Sequence, residues 1–134
     1  MQFDIAPYIG VPFVDGGRDP ATGLDCWGLL MAVMAQAGVT IPDYTISCFD
    51  SGAIGDRVRA DMERCLEPVG RAETAAVVVM STDPHAPESI QHFGVCIDRH
   101  RFIHTSERTG CIVTKVSDRF WAHRIKGFYR WKTA

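Results

Sequence analysis

A cysteine standing where a glycine-rich loop turns into a helix is the residue of this chain best placed to do chemistry. It is Cys26, in the run Asp25-Cys26-Trp27-Gly28-Leu29-Leu30. Upstream, Gly16-Gly17-Arg18-Asp19-Pro20-Ala21-Thr22-Gly23-Leu24 is rich in turn residues. Downstream, residues 29–37 are mostly apolar, free of Gly and Pro, and followed by Gly38. That pattern predicts a helix over 26–37 with Gly38 beyond its C-terminus. A thiol in the first helical turn meets the positive end of the helix dipole, which favours the nucleophilic thiolate. A thiolate needs a base, and the base needs an orienting partner. His92 and His104 lie far downstream, on segments that read as strands.

The elements that must hold these residues follow from hydrophobic pattern. In the predicted first helix, Leu30, Val33, Met34 and Ala37 share one stripe. Residues 2–14 read as a short segment packing on the body. Residues 39–52 read as loop, and a second amphipathic helix is predicted over 54–66. The apolar, β-branched run Ala75-Ala76-Val77-Val78-Val79-Met80 predicts a buried central strand. A loop with two prolines follows over 81–91. Residues 92–97 and 101–106 predict a hairpin, residues 111–116 a further strand, and 126–131 a last one. A helical turn or loop over 117–125 carries Trp121. Helices first and strands after give an α+β class with an antiparallel sheet.

Hairpin register decides whether the two histidines meet. If the hairpin pivots on Asp98, His92 faces His104 and Gly94 faces Phe102, which gives that ring an uncluttered seat. Cross-strand Cβ atoms are then ~4.5–5.5 Å apart, within reach of a hydrogen bond between imidazoles. A two-residue turn at Arg99-His100 would pair His104 with Val95 instead and separate them. Two bland alternatives compete. An unpaired cysteine is by default a buried apolar residue. His92, Cys96, His100 and His104 are also spaced by four, as metal ligands on a helix face would be. The Val, Ile, Phe and central Gly of that segment favour strand, so no metal site is assigned. Cys48, Cys65, Cys96 and Cys111 read as packing residues, and neither His85 nor His123 is given a role.

Bulk properties bound the rest. The 134 residues suffice for one domain with a real core, and the 22% charged and 46% hydrophobic fractions are ordinary. A net charge of −2 makes no electrostatic case for nucleic acid or an anionic membrane. No apolar run approaches the ~18 residues of a membrane span. The first residues, Met1-Gln2-Phe3-Asp4, lack the pattern of a signal peptide. Five cysteines without paired spacing suggest reduced thiols and synthesis in the cytoplasm.

Four motifs then coincide in order. They are Tyr8-Ile9-Gly10-Val11-Pro12-Phe13-Val14-Asp15-Gly16-Gly17, Gly23-Leu24-Asp25-Cys26-Trp27-Gly28-Leu29, His92-Phe93-Gly94-Val95 and Phe102-Ile103-His104. Together they resemble the NlpC family of papain-like bacterial cell-wall cysteine peptidases, over nearly the whole length. The resemblance implies one peptidase domain over 1–134, with a papain-like α+β core. It implies Cys26 as nucleophile, His92 as base and His104 as the residue that orients the base. Asp25 would bind the free amine of a peptide stem. Trp27 replaces a serine common after the cysteine, and Phe13 a frequent tyrosine, so both are substrate-cleft candidates. Trp27 would either wall the groove or pack under the N-terminal segment near Phe13, and the usual burial of indoles favours packing.

The implied substrate is the peptide stem of peptidoglycan, at the γ-D-glutamyl–diaminopimelate bond, and such chemistry needs no metal or organic cofactor. Gly-Gly-Arg-Asp, Cys-Trp-Gly and Gly127-Phe128-Tyr129-Arg130 resemble the branch encoded with phage tail genes and gene-transfer agents. That resemblance implies a virion-tail location, action in the periplasm or cell wall, and tail-tip proteins as partners. A tail-tip structural role with little hydrolysis, and another thiol acyl transfer, are the competing readings.

Overall fold

Val77-Val78-Val79-Met80 buries every side chain, which only a strand covered on both faces can do. The computed structural model of the protein describes residues 4–41, 60, 64–85 and 90–132. A two-stranded ribbon, β1 (Arg18–Asp19) and β2 (Gly23–Leu24), precedes the helix α1 (Cys26–Gln36). Then come β3 (Leu66–Val69), β4 (Val77–Met80), β5 (His92–Cys96), β6 (Arg101–Ser106), β7 (Gly110–Lys115) and β8 (Ile125–Trp131), with a 3-10 turn over Ala122–Arg124. The last six strands form one antiparallel sheet in the order β3-β8-β4-β5-β6-β7. This is the α+β class expected from sequence.

The two faces of that sheet bury different sets of side chains. On one, Leu29, Leu30, Val33 and Met34 of α1 join Val77, Val79, Phe93, Val95 and Ile103. On the other, Val78, Met80, Cys96 and Phe102 pack with Val69, Trp121, Ile125 and Phe128. Strand alternation assigns the residues: odd positions of β4 and β5 face the helix, even positions face away. α1 lies against β5 and β6. The N-terminal segment is tied to the body where Gly10 N donates to Cys111 O and Cys111 N to Val11 O, both at 2.9 Å.

Three sequence expectations change. The glycine-rich loop before Cys26 contains the β1–β2 ribbon, too short to leave a strand pattern. Leu66, expected to end a helix, opens β3, paired with Trp131. Most of the predicted second helix, and Cys48, lie outside the described residues. The third change is the hairpin register, which pairs Val95 with Ile103 and Cys96 with Phe102. Neither predicted register is present. The Asp98 carboxylate accepts the amides of His100 and Arg101 at 2.8 and 2.9 Å, so the turn closes around Arg99. Relative to a pivot on Asp98, the pairing slips by two residues. A slip of two keeps every side chain on its face, whereas a slip of one would have reversed them all.

Trp27 is 8% exposed, with its ring edge-on to Phe93 at a centroid distance of 5.3 Å. It is packed in the core, as favoured above, with Phe93 of the sheet as a ring partner. Its cost of removal should be that of a large core truncation. Trp27→Ala is expected to lower the unfolding free energy by ~3–5 kcal/mol, read from urea denaturation. Trp27→Phe should recover most of that loss. An alanine variant as stable as wild type would show that the contact contributes nothing.

Candidate active site

The start of α1 is fixed from inside. Asp25 is its N-cap, fully buried, and accepts from Gly28 N at 2.7 Å. The same carboxylate accepts from Gly16 N at 3.0 Å and pairs with Arg18 Nη1 at 2.7 Å. A Cβ on Gly28 would run into the Gly17 carbonyl oxygen, so glycine there lets the upstream loop close on the first helical turn. The ribbon, the loop and the helix are thus tied at one carboxylate. The next residue is Cys26, 3% exposed, in the first turn. Asp25, expected at the substrate amine, spends its oxygens on the protein's own backbone and on Arg18. Phe13 is half-buried and bridges to Leu24, next to Asp25.

The histidines come from neighbouring strands. His92 opens β5 and His104 lies within β6, 7% and 1% exposed. His92 Nε2 and His104 Nδ1 are 2.8 Å apart. They meet as a diagonal rather than a directly opposed pair, because the observed register places Gly94 across from His104. A diagonal of ~7–8 Å is within reach of aromatic side chains. The Phe102 ring does lie over Gly94, where a Cβ would come within 2.9 Å of it. The row continues onto β7, where His104 Nε2 is 2.8 Å from Thr114 Oγ1. With His92 Nε2 committed to His104, Nδ1 is the nitrogen left to serve a thiol.

Chain adjacency draws the parts together. Trp27 follows Cys26 and Phe93 follows His92, and the two aromatic rings are in contact. That contact is one of those that hold α1 against β5. His92, Cys96, His100 and His104 occupy two strands and the turn between them, so no helix face exists to line them up for a metal. Cys96 and Cys111 are buried, and burial pushes both thiols up, Cys96 to about 12. They remain neutral packing groups.

Two further site residues left no distinctive mark in the sequence. One is Thr114. The other is Trp121, stacked on His92 with centroids 5.1 Å apart and planes at 22°, and edge-on to His104 at 4.9 Å. Asp118 aims it by accepting the amides of Phe120 and Trp121 through its side chain. A Trp four residues before a strand is common enough that only the fold reveals its target. Beside His104 and Trp121 runs a cleft of about 480 Å³, lined also by Thr82, Ser106, Arg108, Ile112 and Phe120.

Burial dominates the electrostatics of the pair. It pushes His92 down to about 3, with the neighbouring His104 adding to the shift. It pushes His104 down to about 4 against the opposing pull of Asp118. Both rings are therefore neutral at pH 7. In the unfolded chain each takes up a proton near pH 6.5, while the native pair does not until far lower pH. The unfolded state then binds more protons, so stability is full above about pH 6.5 and falls as the medium is acidified towards pH 4. The slope should reach about 1.4 kcal/mol per pH unit for each histidine. Denaturation midpoints at pH 7 and pH 5 measure it, and His104→Asn should remove roughly half of the dependence. A flat profile would contradict a neutral, desolvated pair.

The sequence profile described as the NlpC/P60 family matches residues 10–130. Gamma-DL-glutamyl hydrolase of Bacillus subtilis is 30% identical over 124 residues, covering 92% of this chain and 27% of the relative. The bifunctional muramidase/DL-endopeptidase CwlT of the same organism is 25% identical over 126 residues, covering 93% and 34%. The chain thus spans only a quarter to a third of the length of these curated relatives. Among solved structures, an NLP/P60-family lipoprotein-like protein of Staphylococcus aureus superposes with a TM-score of 0.67 at 21% identity, covering all of this chain and 44% of the other. The NlpC/p60 domain of the peptidoglycan hydrolase SagA superposes with a TM-score of 0.59 at 22% identity, covering 92% and 88%. These two show the shared fold. The chain belongs to the NlpC/P60 family, whose members are cysteine peptidases and hydrolases.

Proposed function

We propose that this chain is a cysteine peptidase acting on the peptide stems of peptidoglycan, with Cys26 as nucleophile, His92 as base and His104 as its orienting partner. The observation that carries the reading is the buried 2.8 Å contact between His92 Nε2 and His104 Nδ1, on a strand docked beside the start of the Cys26 helix. A purely structural pair of neutral imidazoles would be a costly way to fill a core, since each buried polar atom must be matched.

In the proposed reaction, His92 Nδ1 takes the Cys26 thiol proton, and the sulfur attacks the carbonyl carbon of the scissile amide. Backbone N–H groups at the start of α1, including that of Cys26, face the oxyanion. The leaving amine takes the proton from His92 as the C–N bond breaks, which leaves a thioester on Cys26. His92 then draws a proton from water, whose oxygen displaces the sulfur and frees the acid. The preferred bond is γ-D-glutamyl–diaminopimelate. The names of the relatives, a gamma-DL-glutamyl hydrolase and a DL-endopeptidase, support that class of linkage. The cleft beside His104 has room for a stem residue.

The setting we infer is a phage tail or phage-like particle that carries the enzyme to the cell wall, with tail-tip proteins as neighbours. Its support is the likeness of Gly-Gly-Arg-Asp, Cys-Trp-Gly and the segment 127–130 to tail-encoded members. Antibody labelling of purified particles tests this setting separately from the chemistry.

Muropeptide digestion followed by mass spectrometry tests the reaction. Cys26→Ala and His92→Ala should each lower kcat by at least roughly a thousandfold while the fold persists. His104→Ala should cost less, roughly 10- to 100-fold, because His104 acts through His92. Undiminished cleavage by Cys26→Ala would remove the thiol from the mechanism, and a folded wild type that cleaves no stem would favour the structural role.

A further inference from the structure

Both ring nitrogens of His104 are engaged, Nδ1 with His92 and Nε2 with Thr114. A neutral imidazole carries one N–H, so this row of hydrogen bonds can run in only two directions. If the Thr114 hydroxyl donates to Nε2, the His104 proton sits on Nδ1 and points at His92. His92 must then accept at Nε2 and hold its own proton on Nδ1. The nitrogen meant for the thiol is already filled. If instead Thr114 accepts from His104 Nε2–H, then His104 Nδ1 accepts from His92 Nε2–H, and His92 Nδ1 is bare. Only this second direction survives proton uptake at His92, because an imidazolium donates from both nitrogens.

We propose that Thr114 is a positioning residue that accepts a hydrogen bond from His104 Nε2–H and so fixes the proton arrangement in which His92 works as a base. The inference rests on the peptidase reading. The placement supports it independently of any substrate. His92, His104 and Thr114 stand on three successive strands, on one face of the sheet. The His104–Thr114 step is again diagonal, since His104 pairs with Ile112 and Thr114 with Phe102. Thr114 is 8% exposed and His104 1%, so bulk water is poorly placed to replace the hydroxyl. Phe102 and Trp121 flank the His104 ring at 4.8 and 4.9 Å and restrict it from turning to another partner.

Thr114→Val keeps the shape of the side chain and removes the acceptor, while Thr114→Ser keeps the hydroxyl and removes the methyl. Proton–nitrogen correlation spectra of the imidazole rings read the tautomer directly in the substrate-free protein. In wild type and Thr114→Ser, His104 should carry its proton on Nε2. In Thr114→Val the proton should move to Nδ1, and kcat should fall roughly tenfold with KM little changed, equivalent to about 1.4 kcal/mol. A wild-type His104 protonated on Nδ1 overturns the proposal without any variant. So does a Thr114→Val protein that keeps both the Nε2–H signal and full kcat. The ring spectra need no turnover. Failure of the peptidase reading would show as absent cleavage by wild type, whereas failure of this inference shows in the tautomer.

Discussion

The edge-to-face contact between Trp27 and Phe93 is what the arrangement of this molecule turns on. Each ring belongs to the residue after a group of interest, Cys26 on one side and His92 on the other. Two segments 66 positions apart in the chain are therefore held by a joint whose parts are apolar and buried. A joint of this kind is insensitive to pH and salt, because dispersion and area burial do not depend on charge. The joint itself carries no charge, so acid acts on the fold through the buried histidines beside it. Trp27, which departs from the serine common in the resembled family, thickens this joint from the helix side.

A second fixed point stands just before the cysteine. The Asp25 carboxylate collects a helix amide, a loop amide and a guanidinium, and so joins the ribbon to the helix end. A carboxylate at an N-cap also complements the helix dipole at its positive end. The thiol follows it in the first turn of the helix. Asp25 thus works in the frame. Sequence resemblance puts it on the substrate side, and in the structure the carboxylate is fully buried and held by three groups of the chain itself.

Much of this was legible beforehand, and the misses have physical causes. Cys26 at the head of a helix followed from the Gly-rich approach and the apolar run after it. The strands at 77–80, 92–96 and 101–106 followed from β-branched and aromatic content, and the α+β class from the order of elements. The register did not follow, because it hangs on a turn closed by Asp98, and the choice between turns of similar length is a local matter of a few hydrogen bonds. The two histidines still met, since the slip was by an even number. Thr114 and Trp121 were invisible for another reason. Their meaning comes from neighbours brought close by sheet order, and neither a lone threonine in a strand nor a tryptophan in a turn carries a spacing that announces a partner.

Sheet order has one more effect. β8, the last of the described strands, is not at an edge: it lies between β3 and β4. During synthesis, β4 to β7 can pair as each emerges, since they are neighbours in both sequence and space. The far side of β4 stays open until residues 125–131 leave the ribosome, and β3 has no strand to join before then. Completion of the sheet is accordingly a late, long-range event, of the kind that slows folding and leaves an unpaired strand edge in the nascent chain. A domain assembled in this way has Cys26, His92 and His104 translated early, yet the scaffold that brings them together closes only when residues 125–131 enter the sheet between β3 and β4.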